Sequence, residues 1–78
     1  MKKIYTLHLL PQQGETRGDV AARIVGAVHE RIDLVNVAVY SAGVGVAATV
    51  VLDAFGNEAE VEDHRRRFAA LGAHVTVK

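Results

Sequence analysis

Alternating hydrophobic and polar positions along the chain predict four β-strands. Residues 3–10 are rich in β-branched and aromatic types and form the first candidate strand. Residues 33–42 and 46–53 alternate in the same way around a glycine-containing turn, which is typical of a hairpin. A short strand is predicted over residues 73–78. The side chains expected on the core side are Tyr5, Leu7, Leu9, Val35, Val37, Val39, Ala48, Val50, Leu52, Val75 and Val77.

Two segments with helical spacing lie between these strands. Residues 19–31 carry an apolar stripe, and Asp19 at their start is interpreted as the N-cap of the first helix. Asn57 is the expected N-cap of the second helix, and Gly72 is expected to end it. The two apolar stripes are Val20, Ile24, Ala27 and Val28 in the first helix, and Val61, His64, Phe68 and Leu71 in the second.

The resulting order is strand, helix, strand, strand, helix, strand. Two right-handed crossovers joined by a hairpin place the first and third strands in the centre of a four-stranded antiparallel sheet, with both helices on one face. The sequence therefore predicts a ferredoxin-like α+β sandwich, formed by residues 1–78 as a single domain.

Composition narrows the functional classes. Half of the residues are hydrophobic and 23% are charged, which is typical of a folded domain, and the nine basic residues balance the nine acidic ones. A net charge of zero argues against nucleic acid and anionic membranes as partners. The chain has no Cys and is small, so oligomerisation is the expected source of extra stability. No signal peptide or membrane span is apparent, and a cytoplasmic location is expected.

The run Arg65, Arg66 and Arg67 is the most conspicuous charged motif. Acidic residues occupy the first half of the same helix, so the charges complement the helix dipole. Glu62 with Arg66 and Asp63 with Arg67 are spaced as i, i+4 ion pairs. The motif is therefore interpreted as a solvated helix face and not as a phosphate site.

Four histidines raise the possibility of a metal site. His8 and His74 are expected on the uncovered face of the sheet, opposite each other on neighbouring strands. That face offers no good third zinc ligand, so neither a metal nor a cofactor is predicted, although a His-based metal site remains an alternative. His64 is expected at the edge of the core with Glu60 as its partner, and His29 on the surface.

No arrangement of side chains indicates catalysis. Ser41 lacks the glycine-flanked elbow of an activated serine, and Asp53 has no acidic partner nearby in the sequence. The sequence therefore predicts a protein that is not an enzyme.

The loop before the first helix is a better candidate for binding. Glycine near a helix start allows backbone N–H groups to approach a small anion such as an amino-acid carboxylate. The residues within reach of such a ligand are Gly14, Thr16, Arg17, Gly18 and Asp19.

Here the chain resembles the ACT-like regulatory domains. The matching stretches are Glu15-Thr16-Arg17-Gly18-Asp19-Val20, Ala22-Arg23-Ile24-Val25-Gly26 and Glu30-Arg31-Ile32-Asp33-Leu34. Glu15, Arg17 and Asp33 stand where the family pattern has Asp, Pro and Asn. The resemblance implies a regulatory or sensing module that forms a homodimer and binds an amino acid at the subunit interface. The related NIL-type domains of amino-acid transporters are also similar.

The sequence therefore supports two hypotheses of function. In the first, an amino-acid-like ligand binds Gly14, Thr16, Arg17, Gly18, Asp19 and Asp33. The Gly18 backbone would take its carboxylate and Asp33 its ammonium group. In the second, the chain is an interaction module that binds nothing small and pairs with a copy or a partner. The sheet residues expected to form that contact are Ile4, Ala38, Tyr40, Ala47 and Val51.

Overall fold

The computed structural model describes residues 2–53 and 57–78 and shows the predicted order of elements. The elements are β1 (Lys2–Leu9), α1 (Arg17–Val28), β2 (Leu34–Ala42), β3 (Gly45–Asp53), α2 (Glu58–Ala69) and β4 (His74–Val77). The strands form one antiparallel sheet in the order β2-β3-β1-β4. This confirms the ferredoxin-like α+β fold, with β1 and β3 in the centre. The predicted connection at residues 54–56 lies outside the described residues.

The core lies between the sheet and the two helices. Alternate residues of β1 and β3 are fully buried against apolar residues of α1 and α2, because a strand directs successive side chains to opposite faces. The buried cluster consists of Tyr5, Leu7, Leu9, Val20, Ile24, Val28, Val46, Ala48, Val50, Leu52 and Phe68. The other face of the sheet is not covered by either helix.

Strand β2 differs from the prediction at its first residues. Its register with β3 shifts between Leu34 and Asn36, which is a β-bulge. Val35, expected in the core, is consequently 46% exposed, and Leu34 packs against the core in its place. After the bulge, Val37 alternates toward the core as predicted.

The start of α1 is also earlier than predicted. Thr16 is the N-cap, and Asp19 is the third residue of the helix and completes a capping box, so the assignment of Asp19 as N-cap is wrong. The helix ends at Val28, three residues before the predicted end. The Asn57 cap of α2 is confirmed, and Gly72 follows that helix with φ +91, a conformation that favours glycine.

Candidate functional site

Two residues of the predicted ligand loop, Thr16 and Asp19, form the hydrogen bonds that cap the start of α1. The Thr16 hydroxyl accepts a hydrogen bond from the Asp19 amide at 3.1 Å, and the Asp19 carboxylate accepts one from the Thr16 amide at 2.8 Å. That second bond lowers the pKa of Asp19. Gly14 adopts φ +81 in the preceding turn, where a side chain would be strained. The polar side chains of Thr16 and Asp19 therefore already have hydrogen-bond partners at the start of α1.

Arg17 and Gly18 line a shallow cleft of about 220 Å³. The cleft lies between the starts of α1 and β3 and the end of β2. Its other lining residues are Ala21, Val39, Tyr40, Ser41 and Val46. The Arg17 guanidinium donates a hydrogen bond to the carbonyl of Gly43 at 2.5 Å. A Cβ added at Gly18 would meet only the Thr16 hydroxyl, at 3.6 Å, so the fold itself does not require glycine there.

Asp33 lies at the other end of the molecule from this cleft. Gly18 is at the start of α1, whose 12 residues extend about 18 Å, whereas Asp33 follows the end of that helix. Asp33 also precedes β2, whereas Ser41 of the cleft lies near the end of that strand. Within one chain, the structure therefore does not bring Asp33 together with the other predicted ligand residues.

Asp33 belongs instead to a buried polar cluster, which comprises Tyr5, Arg31, Asp33, Glu60 and His64. Arg31 binds both carboxylate oxygens of Asp33 at 2.8 Å, and the same guanidinium lies 2.8 Å from Nε2 of His64. The other ring nitrogen, Nδ1, is 3.1 Å from the Tyr5 hydroxyl. The cluster thus connects β1, α2 and the turn between α1 and β2.

These contacts define the tautomer of His64. A guanidinium has no acceptor, so Nε2 must accept the hydrogen bond from Arg31. The proton of the neutral ring is then on Nδ1 and is donated to the Tyr5 hydroxyl. The sequence indicated Glu60 as the partner of His64. The structure adds Tyr5 and Arg31, and the Glu60 carboxylate lies within 4.8 Å of the imidazole.

Electrostatics in the cluster follow from the same geometry. The hydrogen bonds from Arg31 hold the pKa of Asp33 below its usual value. Burial raises the pKa of Tyr5, and the negative charge of Glu60 acts in the same direction. Tyr5 is therefore protonated and Asp33 ionised at neutral pH, which is the arrangement of a satisfied structural network.

Asp33, Glu60 and His64 also have the composition of a metal site. One potential ligand atom from each lies within 4.8 Å of the others. Arg31, however, donates to both oxygens of Asp33 and to Nε2 of His64, and the hydrogen bond to Nε2 uses the lone pair with which the imidazole would bind an ion. The guanidinium thus takes the position of the cation. An adjoining cavity of about 300 Å³ extends along Arg31 to the fully exposed side chain of Ile32.

The uncovered side of the sheet, called the open face below, has its charged residues among the described ones at one end, where Lys2, Asp53 and Lys78 lie. Its other residues form three rows across the four strands, as the strand register shows. They are Ile4, Thr6, His8, Asn36, Ala38, Tyr40, Ala47, Thr49, Val51, His74 and Thr76. Ile4 is 39% and Tyr40 50% exposed.

The charges of α2 form the solvated surface that the sequence predicted. Arg67 contacts Asp63 at 3.0 Å and Arg66 contacts Glu62 at 4.0 Å, so both i, i+4 pairs are confirmed. Arg65 also pairs with Glu62. The arginine run is therefore matched by acidic residues of its own helix.

Comparison with known protein families, with curated proteins and with solved structures finds no match to this chain. The ACT-like resemblance therefore stays a prediction. Within residues 2–53 and 57–78, no helix has the length and apolar character needed to cross a membrane.

Proposed function

We propose that the chain is a small non-enzymatic interaction and regulatory module that forms a homodimer through the open face of its sheet. The observation that carries the proposal is the small number of charged residues on that face: in a chain with 18 charged residues, only Lys2, Asp53 and Lys78 of the described residues lie there, and they lie at one end. Solvent-exposed sheet faces normally carry polar and charged residues, whereas faces that are buried in interfaces are depleted of charge.

The size of the open face suits a second copy. The strands contain 8, 9, 9 and 4 residues, and at a spacing of about 4.8 Å and a rise of about 3.3 Å per residue they cover roughly 480 Å². Two copies in face-to-face contact would bury about 1,000 Å² in total, which is near the lower limit for a specific interface. This patch is about a tenth of the 4826 Å² surface of the chain, the share typical of an interface on a small protein.

Charge also favours a second copy over an unrelated partner. In a symmetric dimer each surface meets itself, so a face with charges of one sign would be repelled by its copy. The open face avoids that repulsion, and its threonines and aromatic ring can pair across the contact. Packed sheets lie about 10 Å apart, which leaves room for side chains of this size.

The polar cluster supports a role without catalysis. Both carboxylate oxygens of Asp33 accept hydrogen bonds from Arg31, and both ring nitrogens of His64 have hydrogen-bond partners within the chain. An imidazole that acts as a general base would need a ring nitrogen free to accept a proton from a substrate. The cluster therefore acts in holding the turn before β2 against α2.

Sedimentation velocity on a concentration series tests the proposal. The chain should sediment at twice 8.4 kDa at micromolar concentration. Ala38→Glu places a charge on an exposed position of the open face and should produce a monomer. Ala22→Glu, an identical substitution at an exposed position of α1, is the control and should remain dimeric. A native protein that is monomeric, or a dimer unaffected by Ala38→Glu, contradicts the proposal.

A second candidate is binding of an amino-acid-like ligand in the cleft at Arg17. The observation that favours it is a guanidinium beside the first turn of α1, since both favour a carboxylate. A thermal-shift screen of the twenty amino acids is the test, with Arg17→Ala as the matched variant. A stabilising shift that disappears in that variant supports the site, and the absence of any shift at millimolar ligand rejects it.

A further inference from the structure

The open face brings two of the four histidines together at one position of the sheet. His8 on β1 is the register partner of His74, the first residue of β4, and both side chains are exposed. Ile4 and Lys78 exchange both backbone hydrogen bonds, at 3.0 and 2.9 Å. Pair types alternate along an antiparallel ladder, so His8 and His74 are also a hydrogen-bonded pair, with Cα atoms about 5.5 Å apart.

Two imidazoles at this separation on one face can direct ring nitrogens to a single ion. The ion would lie about 2.0 to 2.1 Å from each nitrogen, a distance that two side chains standing side by side on a pleated sheet can reach. The neighbours are small or neutral, because Ala47 flanks His8 in the row and Thr6 and Thr76 form the next row. No cationic side chain lies in these two rows.

We propose that His8 and His74 of one chain chelate a divalent transition-metal ion, with water in the remaining coordination positions. Neutral imidazole suits Cu²⁺, Ni²⁺ and Zn²⁺, and Cu²⁺ should bind most tightly of the three. Protons compete with the ion for the ring nitrogens, so affinity should decrease as the pH is lowered.

An ion bound by His8 and His74 should stabilise the pairing of β4 with β1. β4 is a four-residue edge strand, and it pairs with β1 alone in the described sheet. An ion held by His8 and His74 connects these two strands directly through their side chains. Binding should therefore slow hydrogen exchange of the β4 amides, since opening of the edge strand would require release of the ion.

The alternative metal position is the buried polar cluster. There the ion would have to displace the Arg31 guanidinium from Nε2 of His64. On the open face no such competitor is present among the described residues of the rows. The two positions can be separated by experiment because they share no residue.

Calorimetric titration of Cu²⁺ and Zn²⁺ into protein without a histidine tag tests the proposal. His8→Ala and His74→Ala should each weaken binding by at least about tenfold, since loss of a ligand should cost no less than loss of a group that orients one. His29→Ala removes an exposed histidine at the end of α1 and is the control, with unchanged affinity. Circular dichroism should show that all three variants remain folded, because all three side chains are exposed.

Binding that is unaffected by His8→Ala and His74→Ala overturns the proposal, and so does the absence of measurable binding. The site is contained in one chain and the proposed dimer would cover His8 and His74, so the monomeric Ala38→Glu variant should bind the ion at least as tightly as the native protein does. Loss of the ion in that variant would show that two chains are needed and would also overturn the proposal. The metal site and the proposed dimer can thus fail independently.

Discussion

The ion pair between Arg31 and Asp33 should contribute far more to stability than the ion pairs of α2. Arg31→Ala, Asp33→Ala and the double variant form a cycle that isolates the interaction between the two side chains. Each single substitution leaves its former partner with a charge in a half-buried position and without its bidentate ion pair. The double variant removes both, so its destabilisation should be clearly smaller than the sum of the two singles.

The geometry and the burial of the ion pair determine the expected coupling free energy between Arg31 and Asp33. The contact is bidentate, with both N···O distances 2.8 Å, and the two side chains are only 24% and 20% exposed. Exposed pairs contribute about 0.2 to 1 kcal/mol, whereas hydrogen bonds to charged groups contribute about 1.5 to 3 kcal/mol. A coupling of about 1.5 to 3 kcal/mol is therefore expected. A chain of this length should have a total stability of about 4 to 12 kcal/mol, so the effect is large.

Urea denaturation of the four proteins at neutral pH measures the coupling. The control is the same cycle on Asp63 and Arg67, which contact each other at 3.0 Å but are 52% and 69% exposed. That pair should couple by no more than about 0.5 kcal/mol. If the Arg31 and Asp33 coupling is as small as the control, the buried cluster does not stabilise the turn and our reasoning is refuted.

Three further predictions follow from the same contacts. The pKa of Asp33 is lower in the folded state than its unfolded value of about 3.9, so ionised Asp33 stabilises the fold above that unfolded pKa. This stabilisation is lost as the pH falls through the folded pKa. Urea midpoints should therefore depend less on acid pH in Asp33→Asn than in the native protein. Tyr5→Phe leaves Nδ1 of His64 unpaired and should cost about 1 to 3 kcal/mol in denaturant unfolding, and an unchanged midpoint would contradict a stabilising role of this buried hydrogen bond. Gly45→Ala places a Cβ 2.3 Å from the backbone oxygen of Leu9 and should lower the melting temperature, with about 1 to 3 kcal/mol lost; a neutral effect would contradict this close packing.

The fold was predictable because the local signals agree with one another. The alternation in β3 and the apolar stripes of both helices specify which faces are buried, and the glycines after β2 and α2 mark the turns. The bulge at Val35 was not predictable, since one extra residue in a strand of valines leaves the hydrophobic pattern unchanged. The cap at Thr16 was missed because Thr16 and Asp19 are both good N-caps, and only the geometry distinguishes a cap from its partner in a capping box.

The buried polar cluster illustrates what sequence patterns do not contain. Tyr5 and His64 are 59 positions apart, so their hydrogen bond depends on how β1 packs against α2. Arg31 and Asp33 are separated by one residue, and that spacing in a turn was a local signal that a charge pair could form. Asp33 was assigned to a ligand by analogy with a motif, whereas its position at the far end of α1 follows only from the three-dimensional topology.

In the proposed dimer two copies meet through their open faces, so contacts between the copies should involve residues of that face. A sample of mixed isotope-labelled and unlabelled chains allows NMR to detect nuclear Overhauser effects between copies alone. The account predicts such effects from the methyl groups of Ile4, Thr6 and Val51, and from the ring of Tyr40. Intermolecular effects confined to residues of α1 and α2, or none at concentrations where the protein sediments as a dimer, would contradict it.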